Sequence, residues 1–261
     1  MPQSAGYVDV HALQQIAESL RPLKRRTYSL MQIEAGACVL DVGCGPGLDT
    51  IPLAELVGAT GTVVGVDVDE GMLTHAAAYA QQANVAAHLV HQYGDVSCLP
   101  FETATFDACR AERLFQVLPI SVDAEHALGE LRRVTKVGGW VVVADADWGT
   151  ASLDMPDIAL ERKLSQFFAD HLRPNGYAGR QLVRFFHQQR FVDIAVEIFP
   201  VLFQQVSQTH YSGDWLTGAA AAAGVVTPEE VTRWQTGLAQ ADAAGRFFGC
   251  MSMVIVAGRV S

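Results

Sequence analysis

The sequence predicts an α/β fold built on parallel strands, and three observations point that way. Short apolar runs rich in β-branched residues recur along the chain, amphipathic stretches of helical period separate them, and one run opens into a glycine-rich turn. The candidate strands are residues 38–42, 62–67, 86–91, 106–111, 140–145, 192–199 and 251–257, seven in all. Between them, 51–56, 72–80 and 124–134 carry apolar residues three and four apart, as helices packed on one face of a sheet do. Lys136-Val137-Gly138-Gly139 is predicted to end a helix and turn into the fifth strand, with glycine supplying the backbone angles.

Two regions stand outside this rhythm. Leu13, Ile16, Leu20 and Leu23 form one helical stripe, which predicts an N-terminal helical arm (1–35) over the edge or mouth of the sheet. Between the sixth and seventh strands lies a segment too long for a structureless loop, so a helical cap is expected at about 204–246. Within it the alanines at 219–223 suit tight helix packing. Thr227 can cap a helix that has Pro228 in its first turn and Glu230 completing a capping box. The 261 residues are therefore expected to form a single domain: the arm, a binding core (36–150) and a substrate-side half (151–261).

Composition narrows the partners. Half of the residues are hydrophobic and 18% charged, which suits a globular chain, and the net charge of −10 opposes binding to phosphate-rich polymers. Nucleic acid is not an expected partner. The basic clusters Arg21, Lys24, Arg25, Arg26 and Arg132, Arg133 lie on helical patterns and read as solvated faces. Cys38, Cys44, Cys98, Cys109 and Cys250 are odd in number and never form C-x-x-C, so a reducing cytoplasm is expected. The first ten residues show no export signal and no apolar run is long enough to span a bilayer, so no membrane partner is expected either. A monomer or homodimer fits these features.

The strongest chemical signal is Val39-Leu40-Asp41-Val42-Gly43-Cys44-Gly45-Pro46-Gly47, a buried strand running into a glycine turn and then a helix. Such a turn brings backbone N–H groups and a helix N-terminus against a ligand with no side chain in the way. The spacing Gly43-x-Gly45-x-Gly47 lacks the third glycine of G-x-G-x-x-G, and no Gly-Lys-Ser/Thr follows, which argues against NAD and P-loop sites. Twenty residues after Gly47, Asp67 ends the second strand where a carboxylate can accept from both hydroxyls of a ribose. Gly94-Asp95 offers a second carboxylate after the third strand, able to accept from an adenine amine, with Met72 and Val96 able to flank the ring.

These residues resemble the class I S-adenosylmethionine-dependent methyltransferases, in the small-molecule branch related to ubiquinone and menaquinone biosynthesis. The resemblance rests on V-L-D-V-G-C-G-P-G, V-V-G-V-D, G-D-V-S-C-L-P-F, F-D-A-C-R and L-R-R-V-T-K-V-G-G, in order from about residue 37 to 147. It implies a Rossmann-like seven-stranded, mostly parallel sheet with an antiparallel last strand and helices on both faces, with the arm and cap added. It also implies S-adenosyl-L-methionine as cofactor and S-adenosyl-L-homocysteine as product. By the same resemblance Gly43, Gly45 and Gly47 shape the methionine end, Asp67 with Val68 takes the ribose, and Asp41 joins the cofactor site, with orienting the glycine loop as its simpler alternative. Met72, Gly94, Asp95 and Val96 surround adenine, Arg110 and Ala111 line the mouth, and Gln116 and Arg113 face cofactor or acceptor. Arg113 has the simpler alternative of pairing with Glu112.

Methyl transfer from a sulfonium is an in-line displacement, so the protein's task is positioning and exclusion of water, and a base is optional for an amine or thiolate acceptor. Asp147 and Trp148, at the exit of the fifth strand, are the candidate acceptor contacts; capping and packing are their alternatives. Phe185, Phe186, Phe203, Tyr211 and Trp215 are expected to help roof an apolar or aromatic small-molecule acceptor. No metal is expected, because His88 and His91 fall on opposite faces of a strand and no H-E-x-x-H occurs. The rivals are a non-catalytic scaffold, an NAD oxidoreductase, and a macromolecular methyltransferase. The last is disfavoured because Ala111-Glu112-Arg113-Leu114 stands where an N-P-P-Y-type tetrapeptide would.

Overall fold

The computed structural model describes residues 10–85, 88–209 and 213–261. The start of the predicted third strand at 86 and 87, Tyr211 of the expected roof, and residues 1–9 lie outside the described residues. Two helices, α1 (Val10–Ser19) and α2 (Arg21–Leu30), precede the sheet. The single predicted stripe is therefore divided. Pro22 sits in the first turn of α2, where its missing N–H breaks the helical ladder, yet Leu20 and Leu23 still bury completely.

Strand β1 (Cys38–Val42) is buried from Val39 onward and pairs in parallel with β2 (Thr62–Asp67) and β4 (Phe106–Glu112). Helices α3 (Thr50–Val57) and α4 (Glu70–Gln82) carry the chain to β3 (Leu89–Tyr93), and α5 (Ala124–Val134) leads from β4 to β5 (Thr135–Leu153). Then follow α6 (Ile158–His171), α7 (Ala178–Gln188), β6 (Val192–Phe203), α8 (Asp214–Ala222), α9 (Pro228–Ala243) and β7 (Gly249–Arg259). The order is β3-β2-β1-β4-β5-β7-β6, and β7 runs antiparallel to both of its neighbours. Between β1 and β4 the order reverses direction, which opens a crevice beyond their carboxyl ends.

Alternation along β1 sends Val39 to one face and Leu40 to the other. Val39 joins Leu23, Leu53, Phe168 and Trp234; Leu40 joins Phe106, Leu128, Phe185 and Phe186, so helices cover both faces. The α9 capping box forms as its sequence requires, with Glu230 N donating to Thr227 Oγ1 at 3.2 Å and Thr227 N to Glu230 Oε2 at 2.8 Å. Strand β5 is longer than predicted. It begins at Thr135, and Gly138, with φ +86°, lets 136–139 bulge between the pairs Phe106–Thr135 and Ala108–Trp140. The helices of the cap pack on α6, where Trp215 meets Phe168 at 5.7 Å between ring centroids. No helix among the described residues is long and apolar enough to cross a membrane.

Candidate functional site

The crevice at the carboxyl ends of the strands is a cavity of about 1200 Å³, walled by 42–46, 48–49, 67–68, 93–96, 112–114, 116–122 and 170–174, with Leu13, Ala17, Lys24 and Met72 from the helices. A drug-sized ligand needs roughly 300–1000 Å³, so this space accommodates a nucleoside-sized molecule and a second small one. The predicted roof is corrected in part: α1 lines the cavity, but Phe185, Phe186, Phe203 and Trp215 do not. Phe185, Phe186 and Phe203 are spent on the core, where burial of aromatic area outweighs a place at the mouth.

The turn after β1 holds Gly43, Gly45 and Gly47 at φ +71°, +53° and +79°, angles that disfavour any other residue. Gly43 N and Cys44 N both donate to Val66 O, at 2.8 and 3.0 Å, stitching the turn to β2. Gly45 faces open space, and Gly43 and Gly45 line the cavity. Gly47 does not: a Cβ there would stand 2.9 Å from Ala76 Cβ and 3.1 Å from His91 Nε2, so its requirement is close packing against α4 and β3. Thr50 Oγ1 donates to Gly47 O at 3.0 Å, which assigns Nε2–H of His91, 2.9 Å away, as the donor to Thr50. His88 precedes β3 and is not part of it, so only His91 is held by the strand.

Burial brings His91 down to about 4. As pH falls below about 6.5 the unfolded imidazole takes a proton that the folded one refuses until about 4, so stability is lost across that window. In thermal melts between pH 7 and 4.5, wild type is expected to lose about 1 kcal/mol more than His91→Gln, a figure discounted because the ring is partly solvated. Parallel losses in the two proteins would assign the acid sensitivity elsewhere.

Asp67 ends β2 at the cavity wall. Its Oδ2 accepts from Gly45 N at 2.8 Å and its Oδ1 from Asp69 N at 3.0 Å, leaving a lone pair free on each oxygen. Burial pushes its carboxyl up while the N–H groups of Asp69, Gly45 and Val68 pull it back. Asp69 in turn caps α4 through Met72 N at 3.0 Å, bringing Met72 beside the exposed Val68 at the cavity. Asp95 Oδ1 accepts from Ser97 N and Oγ at 2.8 and 2.7 Å, and its other oxygen has no partner among the described residues. Val96 and Gly94 stand beside it. A Cβ on Gly94 would sit 3.1 Å from Val66 Cβ, so glycine lets β3's exit approach β2. Tyr93, the last residue of β3, also lines this end, a residue that sequence reasoning missed because the predicted strand stopped at His91.

Three expected wall residues are beneath the floor instead. Asp41, Arg110 and Ala111 are all but inaccessible, since β4 continues to Glu112 and presents Glu112 and Arg113 to the cavity. Arg110 contacts Asp41 Oδ1 and Asp49 Oδ1, each at 3.1 Å, bonds Glu112, and donates through Nε to Thr27 Oγ1 at 3.1 Å. Lys24 bridges Asp49 and Glu112 at 2.6 Å each, and the Tyr28 hydroxyl donates to Asp49. Lys24 is thus not on a solvated face: two carboxylates drew it inward, whereas Arg21 and Arg26 of the same cluster pair with Glu18 and Glu197 in solvent. The two cations hold Asp49 well below its ordinary range, while burial raises Asp41 to about 7 despite Arg110.

Beyond β4 the chain turns through Arg113, a non-glycine residue at φ +57° held by its N–H to Ala144 O at 2.8 Å. Asp145, fully buried within β5, accepts from Phe115 N at 2.7 Å and Gln116 N at 3.3 Å and so fixes this turn. Gln116 lines the cavity and accepts the Trp148 indole N–H at 2.6 Å. Neither Asp147 nor Trp148 reaches the large cavity. Asp147 pairs with Arg180 at 2.7 Å, and Trp148 lies behind Gln116 in the core. Of the alternative roles, packing is the one Trp148 takes, whereas the Asp147 side chain pairs with Arg180 and caps no turn among the described residues. Arg113 does not pair with Glu112, which Arg110 and Lys24 already occupy.

With this geometry in view, the chain matches the family described as methyltransferase domain over residues 39–139. It is 30% identical over 263 residues to an uncharacterized transposon protein of Streptomyces fradiae, covering all of this chain and 72% of that one. It is 29% identical over 180 residues to the demethylmenaquinone methyltransferase of Shouchella clausii, covering 68% of this chain and 70% of the relative. Its fold is shared with geranyl diphosphate C-methyltransferase from Streptomyces coelicolor, solved with S-adenosyl-L-homocysteine, at a TM-score of 0.59 and 15% identity, covering all of this chain and 90% of that one.

Proposed function

We propose that this chain, which belongs to the class I S-adenosylmethionine-dependent methyltransferases, methylates a small molecule held between the 113–122 segment and the end of α6. The cofactor supplies a methyl group on a sulfonium, a leaving group good enough that the protein's work is alignment and exclusion of water. The observation that carries the reading is Asp67, whose two oxygens are each half-satisfied by backbone N–H groups at the cavity wall. A ribose diol completes that pattern. Asp95 has an oxygen left for the adenine amine, with Val68, Met72, Gly94 and Val96 around the ring, and Gly43 and Gly45 leave space for the methionine end. Asp41, Arg110 and Gly47 support that end from below, and Gln116 closes the wall toward the acceptor.

The acceptor's apolar portion would rest on Leu118, Val122 and Leu172, and O-, N- or C-methylation all suit such a cavity. We read the chain as one domain acting as a monomer or homodimer in the cytoplasm without nucleic-acid or membrane partners. That reading is supported by the net charge of −10 and the five free cysteines. The test is a thermal shift with S-adenosyl-L-homocysteine against NADH, followed by transfer of methyl label into a fractionated extract. A ligand at 100 times its Kd raises stability by about 2.7 kcal/mol, so a shift with the first and none with the second is expected, with label among small molecules. Label confined to macromolecules overturns the acceptor class; cofactor binding with no transfer to any fraction overturns the enzymatic reading.

A further inference from the structure

Arg173 and Arg113 face the outer part of the cavity, and neither guanidinium has an ion-pair partner among the described residues. Arg173 lies over the rings of Trp148 and Phe168, at 5.2 and 5.0 Å from their centroids, and its buried Nε has no hydrogen-bond acceptor. The carboxylates nearby are already committed. Glu112 serves Arg110 and Lys24, Asp145 serves the amides of Phe115 and Gln116 and is drawn to Arg113 only through space without an ion pair, Asp147 serves Arg180, and Asp170 takes the Tyr177 hydroxyl. Desolvation, with Arg113 adding to it, draws Arg173 down to about 10, the direction expected of a cation shielded from water without a counter-ion. The backbone at Arg113 is in the left-handed region, an arrangement that costs energy and that the Asp145-anchored turn sustains.

We propose that Arg173 and Arg113 form an anion-binding subsite for the acceptor, which therefore carries a carboxylate or phosphate on an otherwise apolar body. This rests on the methyltransferase reading above. A planar guanidinium packed on aromatic rings presents its edge to the ligand and binds either oxyanion through paired N–H donors. An arriving anion relieves both the repulsion between the two cations and the unsatisfied Nε, whereas a neutral acceptor leaves both in place. The subsite lies just beyond β4 and α6, on the other side of β1 from Asp67 and Asp95, so its ligand is not the nucleoside.

The test uses wild type saturated with S-adenosyl-L-homocysteine and calorimetry with 3-phenylpropionate, 3-phenylpropyl phosphate and the neutral 3-phenylpropanamide. At least one anion is expected to bind about tenfold or more tighter than the amide, and the better of the two identifies the group. Arg173→Met and Arg113→Gln are each expected to reduce that preference to about twofold or less while binding S-adenosyl-L-homocysteine within about twofold of wild type. Equal or tighter binding of the amide, a preference that survives both substitutions, or no binding of either anion overturns the subsite. If Arg173→Met weakens S-adenosyl-L-homocysteine but not 5′-methylthioadenosine, the pair holds the cofactor's own carboxylate and the proposal fails. Failure of wild type to bind S-adenosyl-L-homocysteine instead removes the underlying reading. The anion preference is then measured with inorganic phosphate on the unliganded protein, where a loss of binding in both variants still supports the subsite and its absence in wild type overturns it.

Discussion

Arg110→Met is expected to destabilise the protein by about 3–5 kcal/mol, read as a lowered urea midpoint at unchanged slope. The guanidinium is 1% exposed and is the shared partner of Asp41, Asp49 and Glu112. Lys24 still neutralises Asp49 and Glu112 after the substitution, but Asp41, 2% exposed, loses its hydrogen-bonded cation and is left as a buried charge. The sign of the pH dependence follows. Asp41 is raised to about 7 even in wild type, above its unfolded value near 4, so the folded state binds more protons between those limits and its stability falls as pH rises through 7. Without Arg110 the carboxyl rises further and the penalty for ionising it grows. The loss in Arg110→Met is therefore expected to be greater at pH 8.5 than at pH 5.5, and Asp41→Asn in the same background should recover part of it at the higher pH. An equal loss at both values would mean that packing, not unpaired charge, dominates.

Asp67→Ala is expected to weaken S-adenosyl-L-homocysteine binding by about a hundredfold or more while the protein remains folded. Two hydrogen bonds from ribose hydroxyls to a carboxylate contribute roughly 1.5–3 kcal/mol each, and every 1.4 kcal/mol is tenfold in Kd. The substitution also releases Gly45 N–H and Asp69 N–H, so the turn and the start of α4 lose their common anchor. Asp67→Asn retains an acceptor for one of those groups and is expected to fall between wild type and Ala. Titration calorimetry checks both; an Asp67→Ala affinity within about threefold of wild type would remove Asp67 from the cofactor site.

What could be read along the chain was what depends on neighbours in sequence. Helix α5 follows from its apolar period, the α9 cap from Thr227 and Glu230, and the glycine turn from backbone angles that only its own residues decide. Asp67 was legible because a strand end and a glycine turn twenty residues earlier are brought together by one βα unit. The strand limits were less so. The extension of β5 to Leu153 depends on β7, whose Gly249 pairs with Leu153 from nearly a hundred residues away.

The sequence by itself determined the sheet, the turn and the acids at the ends of β2 and β3, because parallel strands and crossover helices leave a local record in period and punctuation. Tertiary structure alone decided that Lys24 turns inward, that Arg110 lies under the floor, that Asp147 is spent on Arg180, and that Arg113 and Arg173 share the outer cavity. Each of these is a question of charge compensation. A buried cation takes whichever carboxylates the fold brings to it, and those at 41, 49 and 112 converge on Arg110 only after β1, β4 and α2 have packed together.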